Sequence, residues 1–143
     1  MFHGVPKSVV LASLLGLIPI LMGLASTFNI GLNESLKEDF IRIVLIYSGF
    51  ILSFMSGCIF YVSSLERERV SLLWLSITPV LLALLAIIIP FMQSFVLALG
   101  FLVVLEIERK LHKVRSLPKW WLSLRFPMTS IVVVLLIFLG FRI

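Results

Sequence analysis

The residues with the most to offer chemically lie inside apolar runs. Gly49, Ser53 and Gly57 recur at four-residue spacing, with Ser48 and Ser56 beside them. On a helix that spacing lines one face. In a lipid-embedded segment, small residues let a second backbone approach, and serine hydroxyls hydrogen-bond across the contact. The expected role of Gly49, Ser53 and Gly57 is therefore helix packing, with a polar stripe along a solute path as the second reading. Pro19 and Pro79 each remove a backbone donor from the middle of an apolar run. Such kinks free carbonyls that neighbours must satisfy, and in some transporters freed carbonyls bind ions. Thr78, Pro79, Ser53 and Ser56 accordingly mark an expected cavity, although the plainer reading of the two prolines is shape. Cys58, next to the stripe, reads as a small buried hydrophobe.

A second group combines cations with indoles. Lys113, Arg115, Lys119 and Arg125 interleave with Trp120 and Trp121. Tryptophan concentrates at membrane interfaces, and each cation near an anionic leaflet contributes about 1 kcal/mol. These six residues are expected to meet anionic lipid headgroups, alongside the more general role of setting topology. Glu106 with Lys110 and Glu108 with His112 stand at the i,i+4 spacing of helical ion pairs. Glu34, Glu38 and Asp39 read as a solvated acidic loop.

The absences are equally informative. No Asp, Glu, Lys, Arg or His stands in the middle of an apolar run, and such a residue is the usual mark of a proton or ion path. His3 and His112 are solitary, which disfavours a metal site. No phosphate-binding glycine loop or nucleophile elbow occurs. Neither catalytic residues nor a cofactor are expected, and an enzyme is the least supported class.

The elements that carry these residues follow from hydropathy. Of 143 residues 61% are hydrophobic and 13% charged, with a mean hydropathy of +1.20. A soluble domain is about 45–50% apolar, so this surplus calls for lipid. The net charge of +5 is better explained by topology than by nucleic acid. Val9 to Phe28 and Ile43 to Val62 are 20-residue runs without charge, and Val70 to Leu105 is one of 36 residues. As one helix the last would be about 54 Å long, too long for one crossing. Pro90 divides it into a hairpin. The first run exceeds the roughly 7–15 residues of a signal-peptide core, so it is expected to remain as a span.

The fold class expected is all-α, a single membrane domain over residues 1–143 with five transmembrane helices at about 9–28, 43–64, 70–89, 92–111 and 126–142. Five crossings put Lys7, Arg67, Arg69, Arg109, Lys110, Lys113, Arg115, Lys119 and Arg125 on one side, against Lys37, Arg42 and Arg142 on the other. That bias predicts a cytoplasmic N-terminus and an external C-terminus. Leu17-Ile18-Pro19-Ile20-Leu21 also echoes Ile77-Thr78-Pro79-Val80-Leu81. Composition alone accounts for such an echo, with a duplicated helix pair as the alternative.

Several segments resemble transmembrane protein 69 and its bacterial relatives, a family without an assigned reaction. They are Ile46-Tyr47-Ser48-Gly49-Phe50-Ile51-Leu52-Ser53-Phe54, Pro79-Val80-Leu81-Leu82-Ala83, Leu97-Ala98-Leu99-Gly100-Phe101, and the ending from Leu117-Pro118-Lys119-Trp120-Trp121 to Arg125-Phe126-Pro127-Met128-Thr129. The resemblance extends from about Pro6 onward and implies a five-span domain of the bacterial inner membrane or mitochondria. Where relatives carry a glycine pair and His-Trp, this chain reads Met55-Ser56-Gly57-Cys58-Ile59-Phe60-Tyr61, which favours a structural role over shared chemistry. The expected function is that of an accessory or scaffold protein with a membrane-protein partner. The alternative is a small transporter or lipid-handling protein using the Pro79 and Ser53 region.

Overall fold

An apolar run satisfies its own backbone by coiling, because hydrocarbon offers no partner to an N–H or C=O group. The computed structural model describes residues 4–28, 31, 33–65, 70–113 and 117–143, and it is built of helices. In order they are α1 (Lys7–Leu15), α2 (Ile18–Ser26), α3 (Glu34–Leu65), α4 (Val70–Leu75), α5 (Thr78–Ile88), α6 (Gln93–Lys113) and α7 (Trp121–Arg142). A 3-10 turn at Pro90–Met92 joins α5 to α6. Five helical stretches are long and apolar enough to cross a membrane: Lys7–Ser26, Glu34–Leu65, Val70–Ile88, Pro90–Lys113 and Trp121–Arg142. No strand occurs among the described residues.

Prolines decide where the helices break. Pro19 and Pro79 stand in the first turn of α2 and α5, where a missing donor is tolerated. The two residues before each segment, Gly16-Leu17 and Ser76-Ile77, form turns. The ladder resumes with Leu21 N–H to the Leu17 carbonyl at 3.0 Å and Leu81 N–H to the Ile77 carbonyl at 3.3 Å. Pro127 behaves otherwise and lies inside α7. The last helix therefore starts at Trp121 rather than near 126, and the tryptophan-bearing stretch is its first turn. A proline so near the helix start removes one ladder bond, to Ser123.

α3 also begins earlier than expected. Its 32 residues extend about 48 Å, well beyond a hydrocarbon thickness of about 30 Å. Glu34, Glu38 and Asp39 thus ride on a protruding helix end rather than a loop. Glu34 occupies the first turn, where the helix dipole favours an acid, and Lys37 pairs with it at 3.5 Å.

α3 and α6 form the centre of the bundle. α6 packs on α5 and α7, α3 packs on α2 and α5, and the two meet each other. Leu52, Leu97, Val104, Ile107 and Leu136 lie in the core, virtually excluded from solvent. The closest helix approaches use Gly23 and Gly100. A Cβ on Gly100 would overlap the Leu52 side chain, and one on Gly23 would overlap Val44.

The face of α3 expected to make such contacts does not make them throughout. Gly57 has open space where a Cβ would project, and Gly49 has only Leu97 Cδ2 at 3.9 Å. The inward face of α3 instead carries Ser48, Leu52, Met55, Ser56 and Ile59. Bulk points inward from α3 because its neighbours supply the glycines.

The ends of the bundle follow from the odd number of long apolar stretches. Gly4 lies against Trp120, so the first and fifth apolar stretches start at the same end. At the opposite end the Arg142 guanidinium donates to the Thr27 carbonyl at 3.0 Å and lies 4.9 Å above the Phe28 ring.

Candidate functional site

One acid occupies the apolar stripe of α6. Leu97, Phe101, Val104, Leu105, Glu108 and Leu111 share its buried face, at the three- and four-residue steps of a helical core stripe. Glu108 is fully buried. Its neighbours in sequence, Glu106 and Arg109, point outward and pair with each other at 3.0 Å.

Glu108 does not pair with His112. Both carboxylate oxygens accept from Arg125 Nε at 2.9 Å, and Oε1 also accepts from Trp121 Nε1 at 3.1 Å. Trp121 and Arg125 stand one turn apart on α7, so one face of that helix presents both donors. Burying a carboxylate and a guanidinium costs several kcal/mol per ion, which their attraction offsets only when lone pairs are also satisfied. Three hydrogen bonds to one carboxylate meet that condition on the acid's side. The pair clamps α7 onto α6, and its chemistry is that of a closed ionic lock.

Two cavities flank this lock. One, of about 180 Å³, lies among α1, α2, α3 and α7 and includes Gly16, Tyr47, Arg125 and Thr129 in its wall. The other, of about 200 Å³, includes Cys58, Glu108, Leu111 and Trp121. Arg125 Nη2, Thr129 Oγ1 and His112 Nδ1 are buried without a hydrogen-bond partner among the described residues.

The residues expected around Pro79 are separated. Pro79 and Ser56 are buried, and the Ser56 hydroxyl donates to the Ser76 carbonyl at 2.5 Å. Thr78 is half-buried at the same helix break. Ser53 points elsewhere: with Gly49, Ala83, Gln93 and Leu97 it lines a cavity of about 230 Å³ between α3 and α5. Of the residues expected at lipid headgroups, Lys113 and Lys119 are exposed, and Trp120 and Trp121 are half-buried. Arg125 turns inward to Glu108. Arg115 lies outside the described residues.

A family model described as "Protein of unknown function (DUF3429)" matches residues 5–141. The chain belongs to this family. No curated protein and no solved structure was found to match it. The match embraces all five apolar helices and both halves of the Glu108–Arg125 lock.

Proposed function

We propose that this DUF3429 protein is an accessory or assembly factor for a larger complex of the bacterial inner membrane, related to transmembrane protein 69. In this reading its N-terminus is cytoplasmic and its C-terminus external, as the excess of basic residues at the Lys7 end favours. The observation that carries it is the engagement of the buried carboxylate and of the hydroxyls at the helix breaks. The buried carboxylate accepts three hydrogen bonds from two donors, and Ser56 and Tyr47 are tied to the carbonyls of the helix breaks. A transport path needs polar groups that can exchange partners, whereas these hold helices together. A protein so built works through its outer surface.

The test is purification of the tagged protein from its native membrane in mild detergent, followed by mass spectrometry of what accompanies it. A reproducible stoichiometric membrane protein is the expected result. Purification of the chain alone, with no partner under several detergents, would overturn the reading. A second reading, a small transporter or lipid-handling protein, is favoured by the cavity beside Gly49 and Ser53. A copurifying solute that is lost on Ser53→Leu substitution would replace the first reading with this one.

A further inference from the structure

Two hollows of unlike character meet at Leu117 and Pro118. One is the apolar slot beside the ionic lock, walled by Met55, Cys58, Ile59, Val62 and Leu111 in addition to Trp121. The other is an open hollow of about 500 Å³ bordered by His112, Lys113 and Lys119. Leu117 and Pro118 contribute to both walls. Lys113 and Lys119 are exposed, and His112 is half-buried with an Nδ1 that has no partner among the described residues.

The charges around this saddle select its occupant. Glu108 is the acid in the slot wall, and Arg125 and Trp121 already engage it. Glu106, also on α6, is paired with Arg109. Among the described residues, no acid stands with these cations on the hollow's own wall. An apolar slot joined to a cationic hollow at the end of a membrane helix matches a molecule with a hydrocarbon chain and an anionic head. Basic clusters at that depth attract anionic lipids, and half-buried aromatic rings mark the interface level.

We infer that the Leu117–Pro118 saddle binds one anionic glycerophospholipid. Its acyl chain enters the slot along Val62 and Cys58, and its phosphate lies against Lys113, Lys119 and the His112 ring. The site rests on the proposed placement of the basic end in the cytoplasmic leaflet. It does not depend on a protein partner, so partner capture and lipid binding succeed or fail separately.

The experiment is native mass spectrometry of the purified full chain with equal amounts of phosphatidylglycerol and phosphatidylcholine. The wild type should retain one phosphatidylglycerol, preferred about thirtyfold, as two lysines near a headgroup would produce. The double substitution Lys113→Gln and Lys119→Gln should abolish the preference. Val62→Phe, which fills the slot, should reduce retention of both lipids. Equal retention of the two lipids by the wild type would overturn the inference, as would undiminished retention by a folded Val62→Phe variant. A second measurement needs no variant: brominated phosphatidylglycerol in vesicles should quench the wild-type tryptophan fluorescence more than brominated phosphatidylcholine, since Trp121 lines the slot. Equal quenching would also overturn it.

Discussion

The Tyr47 hydroxyl donates to the Gly16 carbonyl at 2.9 Å, three residues before Pro19. Ser56 treats the carbonyl of Ser76 in the same way, three residues before Pro79. Both donors project from α3, so one helix supplies a hydroxyl to each of the two proline breaks. The resemblance between the segments around Pro19 and Pro79 thus extends from the sequence to the way each break is completed. Whatever its origin, the likeness has a physical content: a turn, a proline and an outside hydroxyl.

Removing either hydroxyl should loosen a helix pair without unfolding the bundle. Tyr47→Phe and Ser56→Ala are each expected to cost about 0.6 kcal/mol, with an upper bound of about 1.7 kcal/mol, the range of interhelical hydrogen bonds in membranes. Reversible unfolding in mixed micelles measures this. No change in either variant would mean that the hydroxyl finds an equally good partner in the unfolded state.

The ionic lock should behave asymmetrically. Arg125→Met leaves Glu108 buried without its cation and should cost about 3–5 kcal/mol. Combining it with Glu108→Leu removes the buried charge and should recover most of that loss. Trp121→Phe, which deletes one of the two donors, is expected to cost about 1.5–3 kcal/mol, as for a bond to a charged acceptor. The same unfolding assay, arranged as a double-mutant cycle, tests the order. Additive single effects would deny the coupling.

Glycine substitutions should divide by face. Gly100→Ala forces Leu52 to move in a packed core and should cost about 1–3 kcal/mol. Gly57→Ala meets open space and should fall within about 0.5 kcal/mol of wild type. Folded yield and thermal stability in detergent check both. A larger loss at position 57 than at position 100 would place the close contact on the other face, through association with a second molecule.

Orientation is open to direct measurement. A reporter that works only in the cytoplasm should be active when joined ahead of Lys7 and silent when joined after Arg142. A reporter that requires the external side should give the reverse pattern. Activity of one reporter at both ends would mean an even number of crossings.

Much of the architecture was legible because lipid imposes a coarse rule. A helix must be apolar for about 20 residues to cross, and charge interrupts such runs conspicuously. Pro90 divided the long run as expected because it stands where a hairpin needs a stop. The start of α7 was harder to place, since Pro127 suits a first turn equally well and only packing on α6 draws the helix back to Trp121. The contacts of α3 were misjudged for a related reason. Periodicity identifies which residues share a face, as for Gly49, Ser53 and Gly57, but not which face meets a neighbour. The lock was missed because Glu108 and Arg125 are 17 residues apart and a local partner, His112, stood at the right spacing. The signal was nonetheless present: an acid falling on the stripe of Leu97, Phe101, Val104 and Leu111.

The pairing of Glu108 with Arg125 also has a consequence for biogenesis. The acid leaves the ribosome 17 residues ahead of its cation, so nascent α6 carries an uncompensated carboxylate until α7 has been made. A chain arrested before α7 is therefore an incomplete object of a particular kind, with a lone acid on a surface that ought to be buried. Once made, α7 supplies the cation and the indole that let the face of α6 bearing this acid be buried.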